Sequence, residues 1–133
     1  MIVTPVATIA PDGRSVGLVP GRMYEVLGIE GDHYRILTDG DHPYAANDPC
    51  LYEPEIFRLV DPAEPDFWLT EFVDGQRYSY PAAWFKGCFF EKYHDRVQEV
   101  RERFWLDLQQ LYPTTWNACA GTANTSLERT RER

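Results

Sequence analysis

Cys88, His94 and Asp95 supply a thiol, an imidazole and a carboxylate, the parts of a nucleophile, its base and an orienting acid. Their spacing argues against that assembly. A helix opening at Asp95 puts Cys88 two turns upstream, between Gly87 and Phe89, where a buried structural cysteine is the better expectation. Asp39, Asp41 and His42 offer oxygen and nitrogen ligands from one loop, but Asp39-Gly40-Asp41 lacks the ligands that complete a calcium loop and reads as a hairpin turn. The sequence contains no Gly-rich phosphate loop and no HExxH motif. Cys50, Cys88 and Cys119 have neither CxxC nor HxxxH companions. The expectation is therefore a protein with no catalytic residue, no metal site and no cofactor.

The remaining chemistry is that of contact surfaces. Phe67, Trp68, Phe72, Tyr78, Tyr80, Trp84, Phe85, Phe89, Phe90 and Tyr93 crowd into one stretch. Most are expected in the core. An alternating strand has two faces, however, and some of these rings should reach solvent. Asp61, Glu64, Asp66, Glu71 and Asp74 run through the same region with no Lys or Arg between them. Trp and Tyr beside acids is the composition that protein-binding hot spots use. The predicted partner-binding residues are Asp61, Glu64, Asp66, Trp68, Glu71, Asp74, Tyr78, Trp84 and Trp105, with Trp116 a further candidate.

Charge points the same way. The 133 residues hold 13 Lys and Arg against 21 Asp and Glu, a net charge of −8. Glu128 to Arg133 carries a small basic excess, so the body is more acidic still. Such a body repels phosphate backbones, which argues against nucleic acid, and attracts a basic protein partner. Apolar runs are short, as at Cys88-Phe89-Phe90, so no membrane span is expected. Met1 to Ala10 is apolar, but no basic segment precedes it and Pro5 and Pro11-Asp12-Gly13 interrupt it. It reads as a first strand and not as a secretory leader. An odd, scattered set of cysteines fits a reducing compartment, and the expected location is cytoplasmic.

The elements that must position these residues follow from turns and periodicity. Ile2 to Ile9 reads as a strand. Met23 to Ile29 and His33 to Thr38 alternate across Glu30-Gly31-Asp32, and Asp39-Gly40-Asp41 leads to a short strand at Pro43 to Ala46. Pro54-Glu55-Ile56 predicts a helical turn, and Phe57 to Val60 a last strand. Asp61 to Pro65 is a linker stiffened by two prolines. Phe67 to Val73 and Gln76 to Tyr80 flank Asp74-Gly75, a type I′ hairpin signature. Pro81 to Phe85 predicts one helical turn. Phe89, Tyr93, Val97, Val100, Phe104, Leu108 and Leu111 share one helical face, Asp95 and Gln98 form a capping-box pattern, and Pro113 ends the helix.

Gly21 to Leu27, Gly31 to Leu37, Asp39-Gly40 and Tyr52 to Val60 resemble the SH3-like barrels of small bacterial and phage proteins. The resemblance covers residues 17–61 and departs by an insertion, Ala46 to Leu51. It implies a small SH3-like β-barrel over residues 1–61; with the β-hairpin and one C-terminal amphipathic helix read from turns and periodicity over 62–113, packed on it, the expected class is α+β. Residues 114–133 are expected to be a disordered tail.

Two functions are compatible with this reading. The first is a non-catalytic acidic protein-binding protein, such as an immunity protein that neutralises a basic bacterial toxin. The second is a regulatory or phage-related accessory module whose barrel binds a peptide or small ligand through Tyr24, Tyr34, Tyr44 and Tyr52. Exposed rings would also allow a two-fold homodimer.

Overall fold

The computed structural model describes residues 1–119. Among the described residues, eight strands form two antiparallel sheets. They are β1 (Ile2–Pro5), β2 (Tyr24–Glu25), β3 (Gly28–Glu30), β4 (His33–Leu37), β5 (Pro49–Tyr52), β6 (Phe57–Asp61), β7 (Trp68–Val73) and β8 (Gln76–Pro81). The small sheet has the order β2-β1-β6, and the large one β5-β4-β3-β8-β7. The segment from Tyr24 to Glu30 serves both. Val26 N donates to Met1 O at 2.9 Å, and the next amide, Leu27 N, donates to Arg35 O at 2.8 Å.

This arrangement corrects the expected barrel. The class is α+β, but the sheets do not close on one another. The reason lies at β3, which spends one edge on β4 and the other on β8, through Ile29↔Ser79 and Glu30↔Tyr78. The large sheet therefore grows outward through β8 and β7. β5 is left as one edge of that sheet and β6 as one edge of the small one. The predicted strand at Pro43 to Ala46 is also displaced. Residues 39–48 form a loop pinned by the Thr38 hydroxyl, which donates to Ala45 O and accepts from Asp48 N. The strand follows at Pro49, inside the segment read as an insertion.

The hairpin forms about its two-residue turn, with Asp74 at φ 52° and Gly75 at φ 76°. Both angles lie in the left-handed region that a type I′ turn requires at both of its positions. Short 3₁₀ turns occupy Pro54–Ile56 and Ala82–Phe85.

Among the described residues the single expected helix is in fact three. α1 (Phe89–His94) and α2 (Gln98–Leu111) are separated by Arg96, which sits at φ 64°. Asp95 closes α1, its N–H donating to Glu91 O, and Val97 in extended geometry precedes α2. The Gln98 amide donates to Glu102 rather than completing a capping box. The break folds α1 back on α2, so that the rings of Tyr93 and Phe104 meet at 5.0 Å. A third helix, α3, covers 113–119, which corrects the expectation of disorder for that part of the tail. The rest of the predicted tail lies outside the described residues.

Two apolar clusters fill the interior. One gathers Trp84, Phe89, Phe90, Tyr93, Phe104 and Leu108 beneath β8 and the helices. The other gathers Val3, Val26, Ile29, Ile36 and Ile56 between the sheets. Tyr112 ties them together: its hydroxyl donates to Leu27 O at 2.7 Å and accepts from Trp68 Nε1 at 2.8 Å.

A candidate protein-docking hairpin

β7 begins in the core and leaves it after one residue. Trp68 is buried, whereas Leu69, Phe72 and Val73 are 52%, 71% and 52% exposed. The strand is the outer edge of the large sheet and pairs with β8 in a continuous register from Trp68↔Pro81 to Val73↔Gln76. Alternation puts Leu69, Glu71 and Val73 on one face with Tyr78, and Thr70 and Phe72 on the other with Arg77. Both faces of the outer half thus reach solvent. An edge strand exposing apolar side chains is normally a hazard that proteins suppress.

Acids border this apolar patch. Glu64 pairs with Arg77 and so fastens the linker to β8. Arg77 Nε also donates to Ser79 Oγ at 2.8 Å, and that oxygen lies 2.8 Å from Thr70 Oγ1. Asp61 accepts from Ala63 N at 2.9 Å. Asp61, Asp66, Glu71 and Asp74 are all exposed, and among the described residues none of them has an ion-pair partner. The field around the hairpin is therefore negative in excess.

The structure does not assemble all the predicted contact residues here. Glu64, Asp66, Glu71, Asp74 and the half-buried Tyr78 lie on or beside the hairpin, whereas Asp61 ends β6 in the small sheet, opposite Ile2. Trp68 and Trp84 are core residues, buried to 8% and 3% exposure, which removes both from any contact surface. Each indole satisfies its single donor internally: Trp68 on Tyr112, and Trp84 on Asp107 Oδ2 at 3.0 Å. Trp105 sits on α2 against Phe104 and Trp116, in a different part of the molecule. Leu69, Phe72 and Val73 escaped the prediction, which favoured Trp and Tyr. Their signal was the edge position, which depends on the β3–β8 pairing.

The other candidates resolve into structure. Asp39 accepts from the Tyr24 hydroxyl at 2.7 Å and pairs with Arg22 at 3.1 Å. His42 Nδ1 accepts from the amides of Tyr44 and Ala45. Among the described residues no three His, Cys, Asp or Glu groups converge as a metal site. Cys88 is exposed, which corrects the expectation of a buried cysteine, and left-handed at φ 58°, while His94 lies edge-on to Tyr93 and Asp95 closes α1.

Arg35, only 5% exposed, is the most heavily bonded polar group in the interior. Its Nε donates to the Tyr80 hydroxyl at 2.8 Å, and its two terminal nitrogens donate to Pro49 O at 2.7 Å and Glu30 Oε1 at 2.9 Å. Its guanidinium lies 3.8 Å from the Phe90 ring centroid. Tyr80 in turn donates to Glu30 Oε1 at 2.8 Å, and burial pushes its phenol well up from 10.0. This network locks β4, β5, β3 and β8 together, so it supports the hairpin from beneath.

A groove of about 790 Å³ runs between the 10–16 loop and the start of β5, lined in part by Arg14, His33, His42, Tyr44, Tyr52 and Glu53. Of the four tyrosines expected to line a barrel groove, Tyr44 and Tyr52 do so. Tyr24 is buried, and Tyr34 packs against Phe57 at 5.9 Å. No helix among the described residues is long and apolar enough to cross a membrane. Comparison of the chain with protein-family models, with curated proteins and with solved structures gives no match.

Proposed function

We propose that this chain is a non-catalytic, cytoplasmic, acidic binding protein that docks a basic protein on the β7–β8 hairpin. An immunity protein covering a basic toxin would have this form. The observation that carries the reading is the exposure of Leu69, Phe72 and Val73 on an edge strand that carries or adjoins Asp66, Glu71 and Asp74, none of which has an ion-pair partner among the described residues. Since 52–71% of each is still exposed, covering these apolar side chains would contribute about 1–2 kcal/mol each before the costs of association. The carboxylates would steer a basic partner towards them and disfavour an acidic one.

The test compares the tagged protein with a Leu69→Ser, Phe72→Ser, Val73→Ser variant in extracts of the native host. The reading expects a basic protein, recovered in stoichiometric amount and re-forming an equimolar complex when purified, that the variant fails to hold. Equal recovery by the variant, or a partner without basic excess, contradicts it. The 790 Å³ groove favours a second reading, a module that takes a small ligand or peptide beside Tyr44, which is 87% exposed. Loss of a ligand on Tyr44→Ala, with the hairpin variant unaffected, would select that alternative.

A further inference from the structure

We infer that the partner supplies a basic extended segment that adds to the free edge of β7 as a further strand of the large sheet. The inference rests on the docking role proposed above and specifies how that docking is made. The turn decides which backbone groups are free. In a hairpin closed by two residues, the flanking pair Val73↔Gln76 is a hydrogen-bonded one, and such pairs alternate along the ladder. Glu71↔Tyr78 and Leu69↔Tyr80 are therefore the other bonded pairs, and the N–H and C=O of Thr70 and Phe72 point away from β8. Trp68 obeys the same alternation, with its outward N–H donating to Pro65 O at 3.2 Å. It closes that end of the edge, so the open stretch is Thr70 to Phe72.

Side chains beside this stretch define the occupant. A strand laid along β7 places one residue directly across from Glu71, where a Lys or Arg is favoured, and its neighbours across from Thr70 and Phe72, where an apolar or β-branched residue packs. Asp66 and Asp74 lie near the two ends of the strand and extend the preference for positive charge. A second copy of this chain is a poor occupant. Pairing β7 with β7 would bring Asp66, Glu71 and Asp74 of both copies to one seam, in chains that each carry −8.

The experiment uses the full chain and a capped synthetic peptide of alternating lysine and valine, with an alternating glutamate and valine peptide as control. Amide hydrogen exchange is followed residue by residue. The basic peptide should slow exchange at Thr70 and Phe72, and the acidic peptide should not. Thr70→Val keeps the outward N–H and should bind as the wild type does. Thr70→Pro removes that N–H at an edge position where proline is tolerated, and should weaken binding at least about tenfold. Protection confined to other amides, no protection at all, undiminished binding by a folded Thr70→Pro variant, or self-association through β7 in sedimentation would each overturn the inference. If Thr70→Pro does not fold, the exchange pattern of the wild type decides alone. Should the host partner depend on Leu69, Phe72 and Val73 yet leave the Thr70 and Phe72 amides unprotected, edge pairing fails while the docking role stands.

Discussion

Replacing Arg35 by Met removes the cation while keeping the length and apolar stem of the side chain. The guanidinium makes three hydrogen bonds at 2.7–2.9 Å and stacks on Phe90. Removing one partner of a fully buried ion pair costs about 3–5 kcal/mol. Here the cost is smaller, because the Glu30 side chain is 28% exposed and can recover water, and because Tyr80 still donates to it. Pro49 O, in contrast, loses its donor in a buried setting, which costs about 1–3 kcal/mol. The sum points to a loss of about 2–4 kcal/mol, a large share of a typical small domain's stability. Urea unfolding followed by tryptophan fluorescence reads this directly, since Trp68 and Trp84 are both buried. Glu30→Met alone and the double variant complete a cycle, in which the coupling should reach about 1–2 kcal/mol. A loss below about 1 kcal/mol for Arg35→Met, or a coupling near zero, would refute the claim that this network fastens β4 and β5 to β8.

Other expectations follow from named contacts. Tyr112→Phe strips the bond to Leu27 O and the acceptor for Trp68 Nε1, and should cost about 2–3 kcal/mol in the same urea assay. Gly28→Ala should be more damaging than a surface Gly→Ala change, because its Cβ would fall 2.0 Å from the Tyr80 ring; a variant with wild-type melting temperature would show that the ring can move aside. Alkali should unfold the protein. Burial raises the phenols of Tyr24 and Tyr93 from 10.0 to about 12, so the unfolded chain gives up these protons first. Stability is full below pH 10 and drains as pH rises towards 12, and circular dichroism against pH should show the loss within that interval.

Local signals were legible where a residue's own backbone preference decides the outcome. Asp74-Gly75 marked the hairpin, and Pro54 the 3₁₀ turn. What escaped depends on contacts between distant residues. Alternation identifies a strand but not the edge it offers, so nothing local to β3 announced β8 as its neighbour, and the expected barrel opened into two sheets. The helix break was hidden because Arg96 is an ordinary helix former that here adopts φ 64° as a left-handed cap, with its own N–H donating to Tyr93 O and Val97 N donating to Lys92 O. Arg35 alternated like any solvent-facing residue until β5, Tyr80 and Phe90 enclosed it. In the contact surface the acids were readable from composition. Trp68 and Trp84 were assigned to it because ring-rich sequences do not say which rings the helices will cover.

The central claim is that the hairpin is the docking surface and that charge selects its partner. The most direct measurement is the affinity of the purified basic partner for the wild type and for the Leu69→Ser, Phe72→Ser, Val73→Ser variant, each at low and at high salt. The account predicts binding that weakens steeply with salt in the wild type and falls by at least about a hundredfold in the variant, with its fold intact by circular dichroism. Unchanged affinity in a folded variant, or binding indifferent to salt, would contradict it.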